Sequence, residues 1–258
     1  MELREWATRI LTADTLEEKL FCPIVLTDRE PGQARWFDEP TRPVGMGFTK
    51  RTKEEKLPAF QSHGNPDHRA VCLHRFAGHE LLAVEIMAHA LVAFPEAPKA
   101  FRMGVANTLK EEQGHVQLYI QRMNALGLHF GDLPLYRHFW NHVPYLTSPI
   151  RYVSVMSLTF EMANLDFAPM YGKSFSHFGD DESAALMARI LQDEIRHVTF
   201  GWSWLQKFKG ELDSWTAWTQ SQGPKLTPKR AKGFVLREEP RLAAGIPEDW
   251  IQKLKGTK

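Results

Sequence analysis

Two short motifs carry the chemistry this chain could do: Glu112-x-x-His115 and Glu194-x-x-His197. Each sets a carboxylate and an imidazole at i, i+3, one turn apart on the same face of a helix. Chance alone supplies roughly one Glu-x-x-His in a chain with this many Glu and His, so neither motif means much by itself. Their register does. Glu80 to Glu161 and Glu85 to Asp166 are each 81 positions, while Glu112 to Glu194 and His115 to His197 are each 82. The flanking text agrees, ANTLKEEQGHVQLY lying over MARILQDEIRHVTFGW with one inserted residue before it. This is an internal duplication of helical hairpins. In chain order it supplies Glu80, Glu112, His115, Glu161, Glu194 and His197, a set with which a four-helix bundle can hold two metal ions.

Carboxylates and imidazoles without thiolates form a hard oxygen and nitrogen donor set, which suits iron or manganese better than a structural zinc or an iron–sulfur cluster. Glu112 and Glu194 are read as bridging ligands, Glu80 and Glu161 as terminal ones. Glu85 and Asp166 stand five residues further on, roughly 140° around the helix, so they cannot face the same point as Glu80 and Glu161. Glu80 is preferred over Glu85 as the first-helix ligand. Glu85 and Asp166 then support ligands or pair with Arg on neighbouring helices. Asp193 and Arg196 flank the second motif and are further candidates to orient ligands, with ordinary surface charge as the alternative. Tyr119 is either a group hydrogen-bonded to the site or, more simply, a packing residue. His74, His79, His89 and His138 are placed outside the site. If no metal were bound, the buried acids would have to bridge to Arg75, Arg102 or Arg122.

These residues need long helices to position them. Helical periodicity and terminal signals predict core helices over 66–94 and 98–126, the latter closed by Gly127, then one starting at Ser148-Pro149 and one from Asp180 or Asp181 to Lys209. Pro169 is expected to kink or break the third helix soon after Asp166. The fold class is all-α: a four-helix bundle of two pseudo-symmetric hairpins (66–210) with an N-terminal arm (1–65) and a C-terminal extension (211–258), together one domain. The arm opens with two short helices and turns irregular over 22–66, strapping the bundle; Lys50, Arg51, Lys53, Glu54 and Glu55 within it read as a solvated face. Residues 135–140 are read as a short helix in the crossover. A Trp-rich helix near 211–221 and a last helix at Pro247-Glu248-Asp249 complete the tail.

With 258 residues and 43% hydrophobic content, the chain can bury one sizeable core. A formal charge of +1 recruits neither nucleic acid nor membrane by its overall field. The start MELREWATRI lacks an apolar targeting core, and the apolar stretch 71–94 carries several charged and histidine residues. The expectation is a cytoplasmic protein with Cys22 and Cys72 as free thiols.

The strings HELLAVEIMAHAL, EEQGH, FEMANLD and DEIRHVTFGW resemble the ferritin-like di-iron carboxylate superfamily. More closely, LREWATRIL, LEEKL, FPEAP, GDLPLY and RLAAGIPEDW are similar to a bacterial ferritin-like family of unassigned function. The resemblance implies a ferritin-like bundle with a bound dimetal centre and leaves the reaction open. One departure is that the first motif reads EQGH, without the Arg that precedes His in EIRH. The leading expectation is a di-iron oxidase or monooxygenase, an oxidoreductase acting on a small organic molecule with dioxygen and an electron donor, as a monomer or homodimer. The alternatives are an iron-binding, ferroxidase-type protein, and a tRNA-modifying hydroxylase suggested by Lys225, Lys229, Arg230 and Lys232.

Overall fold

A computed structural model describes residues 1–50, 52 and 56–257. The described residues are predominantly helical, and they form two compact units, Met1–Val143 and Pro144–Lys258, each carrying one hairpin of the duplication. Of the charged cluster at 50–55, Arg51, Lys53, Glu54 and Glu55 lie outside the described residues.

In the first unit, α1 (Leu3–Thr12) and α2 (Leu16–Lys19) precede the hairpin of α3 (Pro66–Ala93) and α4 (Lys99–Ala125). α3 starts on a capped turn: Asn65 Oδ1 accepts from the Asp67 amide at 2.9 Å, and Pro66 occupies the first turn, where its missing donor is not needed. Gly127, at φ +84°, ends α4 in the left-handed conformation that a Cβ would oppose. α3 is buried almost all round rather than along one stripe. By length and composition it could cross a membrane, but 83% of its most apolar window is buried within the protein.

The outer side of α3 is covered by α1 and the arm. Trp6 and Ile10 of α1 are fully buried. The arm is fastened by Thr41 N–H to the Leu11 carbonyl (2.8 Å), Arg35 N–H to the Val92 carbonyl (2.9 Å), and the Trp140 indole to the Asp38 carbonyl (2.7 Å). Arg102 joins Asp28 through Nε (2.9 Å) and Nη2 (2.7 Å), and so is committed to the arm.

Residues 135–140 are not a helix. Leu135–Tyr136 (β2) pairs in parallel with Phe48–Thr49 (β1) of the arm, with Phe48 opposite Leu135, and a 3-10 helix follows at Trp140–Tyr145. Thr49 Oγ1 adds a hydrogen bond to the Leu135 carbonyl, 86 positions away (3.0 Å), and this long-range pairing outweighs local propensity.

In the second unit, α5 (Pro149–Val155) runs through a π-helical turn, Met156–Glu161, into α6 (Met162–His177); α7 (Asp181–Phe208) returns. Asp180 caps α7, accepting from the Ser183 amide and hydroxyl, each at 2.9 Å. Pro169 does not break α6, which continues eight residues past it. Proline removes one backbone donor, but close packing holds this helix in place: a Cβ on Gly172 would stand 3.3 Å from Met187 Cβ and 3.6 Å from the Ala184 carbonyl on α7. The tail adds α8 (Ser214–Ser221), α9 (Glu238–Ala243) and α10 (Glu248–Lys255). Trp202, Trp215, Trp218 and Trp250 form one aromatic cluster there, with neighbouring ring centres 4.7 to 5.9 Å apart.

Candidate metal centre

In the first unit Glu80 projects from the middle of α3, and Glu112 and His115 from the middle of α4. All three are buried, with at most 6% exposure, and one ligand atom from each lies within 4.8 Å of the others. His115 Nδ1 and Glu112 Oε2 are 3.0 Å apart. Without metal, that distance is a hydrogen bond between the two side chains. It also equals the spacing of two ligand atoms bound at right angles to one ion through bonds of about 2.1 Å. A tight cluster of buried carboxylates is unfavourable unless a proton or a cation offsets the charge. The donor chemistry and the spacing both fit a hard divalent ion.

The second unit repeats the pattern with differences. Glu194 and His197 occupy the matching positions on α7, fully buried, with His197 Nδ1 3.6 Å from Glu194 Oε2. Asn164 on α6 donates to Glu194 Oε1 at 2.7 Å and so fixes that carboxylate's orientation. Sequence periodicity places Asn164 on the inner face but gives it no partner. Glu161 is the last residue of the π turn and is 4% exposed, whereas its counterpart Glu80 lies in regular α-helix.

Glu85 is fully buried and bound by Lys19, whose Nζ stands 2.9 Å from Oε1, and by Arg42. Burial lowers the Lys19 pKa, and the neighbouring Glu85 opposes that shift. Lys19 Nζ also donates to the Ile10 carbonyl at 2.9 Å. Asp166 takes a two-pronged ion pair from Arg241 (2.7 and 2.9 Å) and accepts from the amides of Gly233 (2.8 Å) and Arg237 (2.7 Å). Both acids therefore bind cations of the flanking segments. Arg196 and Asp193 form an i,i+3 pair whose Arg side chain is 57% exposed. Tyr119 is buried, its ring centre 5.8 Å from Phe76.

Gln113, beside Glu112, donates to the carbonyls of Lys19 (2.7 Å) and Phe21 (3.2 Å), tying the first motif to the end of α2. His74 Nε2 accepts from the Gly131 amide at 3.1 Å, and His89 lies among Trp36, Trp140 and the chain around them. Burial first, with Arg75 adding repulsion, pushes the His74 pKa down to about 4; burial alone does the same for His89. In the basic tail segment, Lys232 Nζ is spent on the carbonyls of Lys255 and Thr257, each at 2.8 Å, at the end of α10.

No curated protein and no solved structure matches the chain. Residues 3–252 match the model of the family described as Protein of unknown function (DUF455), and the chain belongs to that family.

Proposed function

We propose that this is a ferritin-like dimetal carboxylate protein, with its two hairpins forming one four-helix bundle, that activates dioxygen to oxidise or hydroxylate an organic substrate. The observation that carries the reading is the buried trio Glu80, Glu112 and His115 with its ligand atoms within 4.8 Å. The duplication supplies the second trio, Glu161, Glu194 and His197. Glu80 with His115 and Glu161 with His197 would each hold one ion, and Glu112 and Glu194 would be the ligands the two ions share. When bound, an iron pair supplies the redox and oxygen-binding chemistry, with manganese as the alternative metal.

The chain's own part is to hold the carboxylates ionised and the imidazoles neutral, aimed at fixed points in a dry interior. Asn164 engages one Glu194 oxygen and so orients the carboxylate. The long extensions support an enzyme rather than an iron store, because storage needs no added segments to shape a substrate pocket. The same reading makes the protein a cytoplasmic monomer or homodimer supplied by an electron donor.

Metal analysis of the purified protein, with Mössbauer spectra before and after oxygen, tests the centre. Size-exclusion chromatography and repeated ferrous additions test the reaction class. Turnover of many ferrous ions per chain with mineral build-up in a large shell would replace the oxygenase reading with storage.

A further inference from the structure

The π turn Met156–Glu161 ends on a residue read as a metal ligand, and its neighbours hold it in a specific way. A π turn carries one extra residue compared with α-helix, so it resets the phase of everything beyond it by about 100°, the rotation of a single α-helical residue. Whether this turn stays open therefore decides which way Glu161 faces. The Ser154 carbonyl, at the head of the turn, accepts from the Thr159 hydroxyl at 2.7 Å and from the Trp218 indole at 3.1 Å. The Thr159 hydroxyl, having used its one proton, accepts in turn from Gln222 Nε2 at 3.0 Å. Ser154, Thr159 and Trp218 are fully buried and Gln222 nearly so. On the opposite side, α7 presses on the turn through Gly201, where a Cβ would stand 2.3 Å from Ser157 Cβ.

We propose that Thr159, Trp218 and Gln222 are positioning residues that hold the π turn open and so set where the Glu161 carboxylate stands. The inference rests on the reading of Glu161 as a ligand. A hydroxyl bonded to a nearby carbonyl is ordinary local satisfaction of a helix. What distinguishes this one is that two side chains from a separate helix and its cap, α8 and Gln222, converge on the same two groups. The first hairpin has no such device, since Glu80 sits in uninterrupted α-helix. The lock therefore acts on one half of the centre: loosening it weakens the ion held by Glu161 and spares the one held by Glu80, Glu112 and His115.

The test is titration of the metal-free protein with Co(II), followed by its visible absorption, which reports ligand geometry without turnover. Wild type should bind two ions. Thr159→Val, nearly isosteric, should keep one tight ion and bind the other about tenfold or more weakly, as removal of a ligand's supporting partner generally does, with a changed spectrum. Thr159→Ser keeps the hydroxyl and should restore both. If Thr159→Val does not fold, Gln222→Leu is judged by the same criteria. Two ions bound by Thr159→Val with wild-type affinity and spectrum would overturn the proposal. So would loss of both ions in step with loss of helicity in both variants. Wild type that binds no Co(II) would remove the metal reading itself, and this inference with it.

Discussion

Glu85 and Asp166 stand 81 positions apart and do the same job in their two units: each is a buried acid to which a segment outside the hairpin is fastened. Glu85 holds the N-terminal arm through Lys19 and Arg42. Asp166 holds the C-terminal tail through Arg241 and two backbone amides. The duplication thus extends beyond the candidate metal ligands to the way each hairpin is wrapped.

Neutralising either acid leaves a buried cation without its counter-charge. Breaking a buried pair from one side costs about 3–5 kcal/mol. Glu85→Gln and Asp166→Asn should each lower stability by that amount in urea unfolding, and any metal lost should be lost through unfolding rather than through a changed site. A shift under 1 kcal/mol in either variant would show that the latch is not structural.

Two glycines, Gly114 inside the first motif and Gly201 four residues past the second, should respond in opposite ways. Gly201→Ala drives a methyl into Ser157, and overpacking of that kind costs about 1–3 kcal/mol. Gly114→Ala meets nothing within 4 Å in mid-helix and should stabilise by about 0.5–1 kcal/mol. Thermal denaturation of the pair checks both signs.

Stability should fall as pH drops from about 6.5 toward 4. His74 and His89 are held neutral in the fold, each with its pKa near 4, while the unfolded chain takes up protons from its ordinary value near 6.5 downward. A depressed histidine pKa therefore contributes stability that is complete above the unfolded value and is lost through that window. The loss is on the order of 3 kcal/mol per ring at its lower end. His89→Phe should flatten the profile, and an unchanged slope would reject the assignment.

The sequence made the helical hairpins legible because acids such as Glu80 and Glu112 sit in the middle of apolar helices whose ends carry strong signals, among them Gly127, Ser148-Pro149 and Asp180. The π turn was not legible, because one extra residue in a six-residue segment barely disturbs a helical period. Nor were the partners of Glu85 and Asp166: Arg42 lies 43 positions from Glu85 with Lys19 farther still, and Arg241 lies 75 positions from Asp166. Pairing of Phe48–Thr49 with Leu135–Tyr136 rests on a similar long-range contact. Of the kink or break expected at Pro169, the break does not occur, since α6 continues past it. Phase separates Glu80 from Glu85 without choosing between them, and the spacing to Glu112 selects Glu80; within the first unit Glu80 lies with Glu112 and His115, and Glu85 is bound by Lys19.

The central claim is that the six residues hold two ions, and anaerobic ferrous titration of the metal-free protein tests it most directly. Two iron ions per chain should bind, Glu112→Ala and His197→Ala should each lower that number, and His89→Ala should leave it unchanged. Binding of no iron by wild type, or a stoichiometry of two that survives both Glu112→Ala and His197→Ala, would contradict the account.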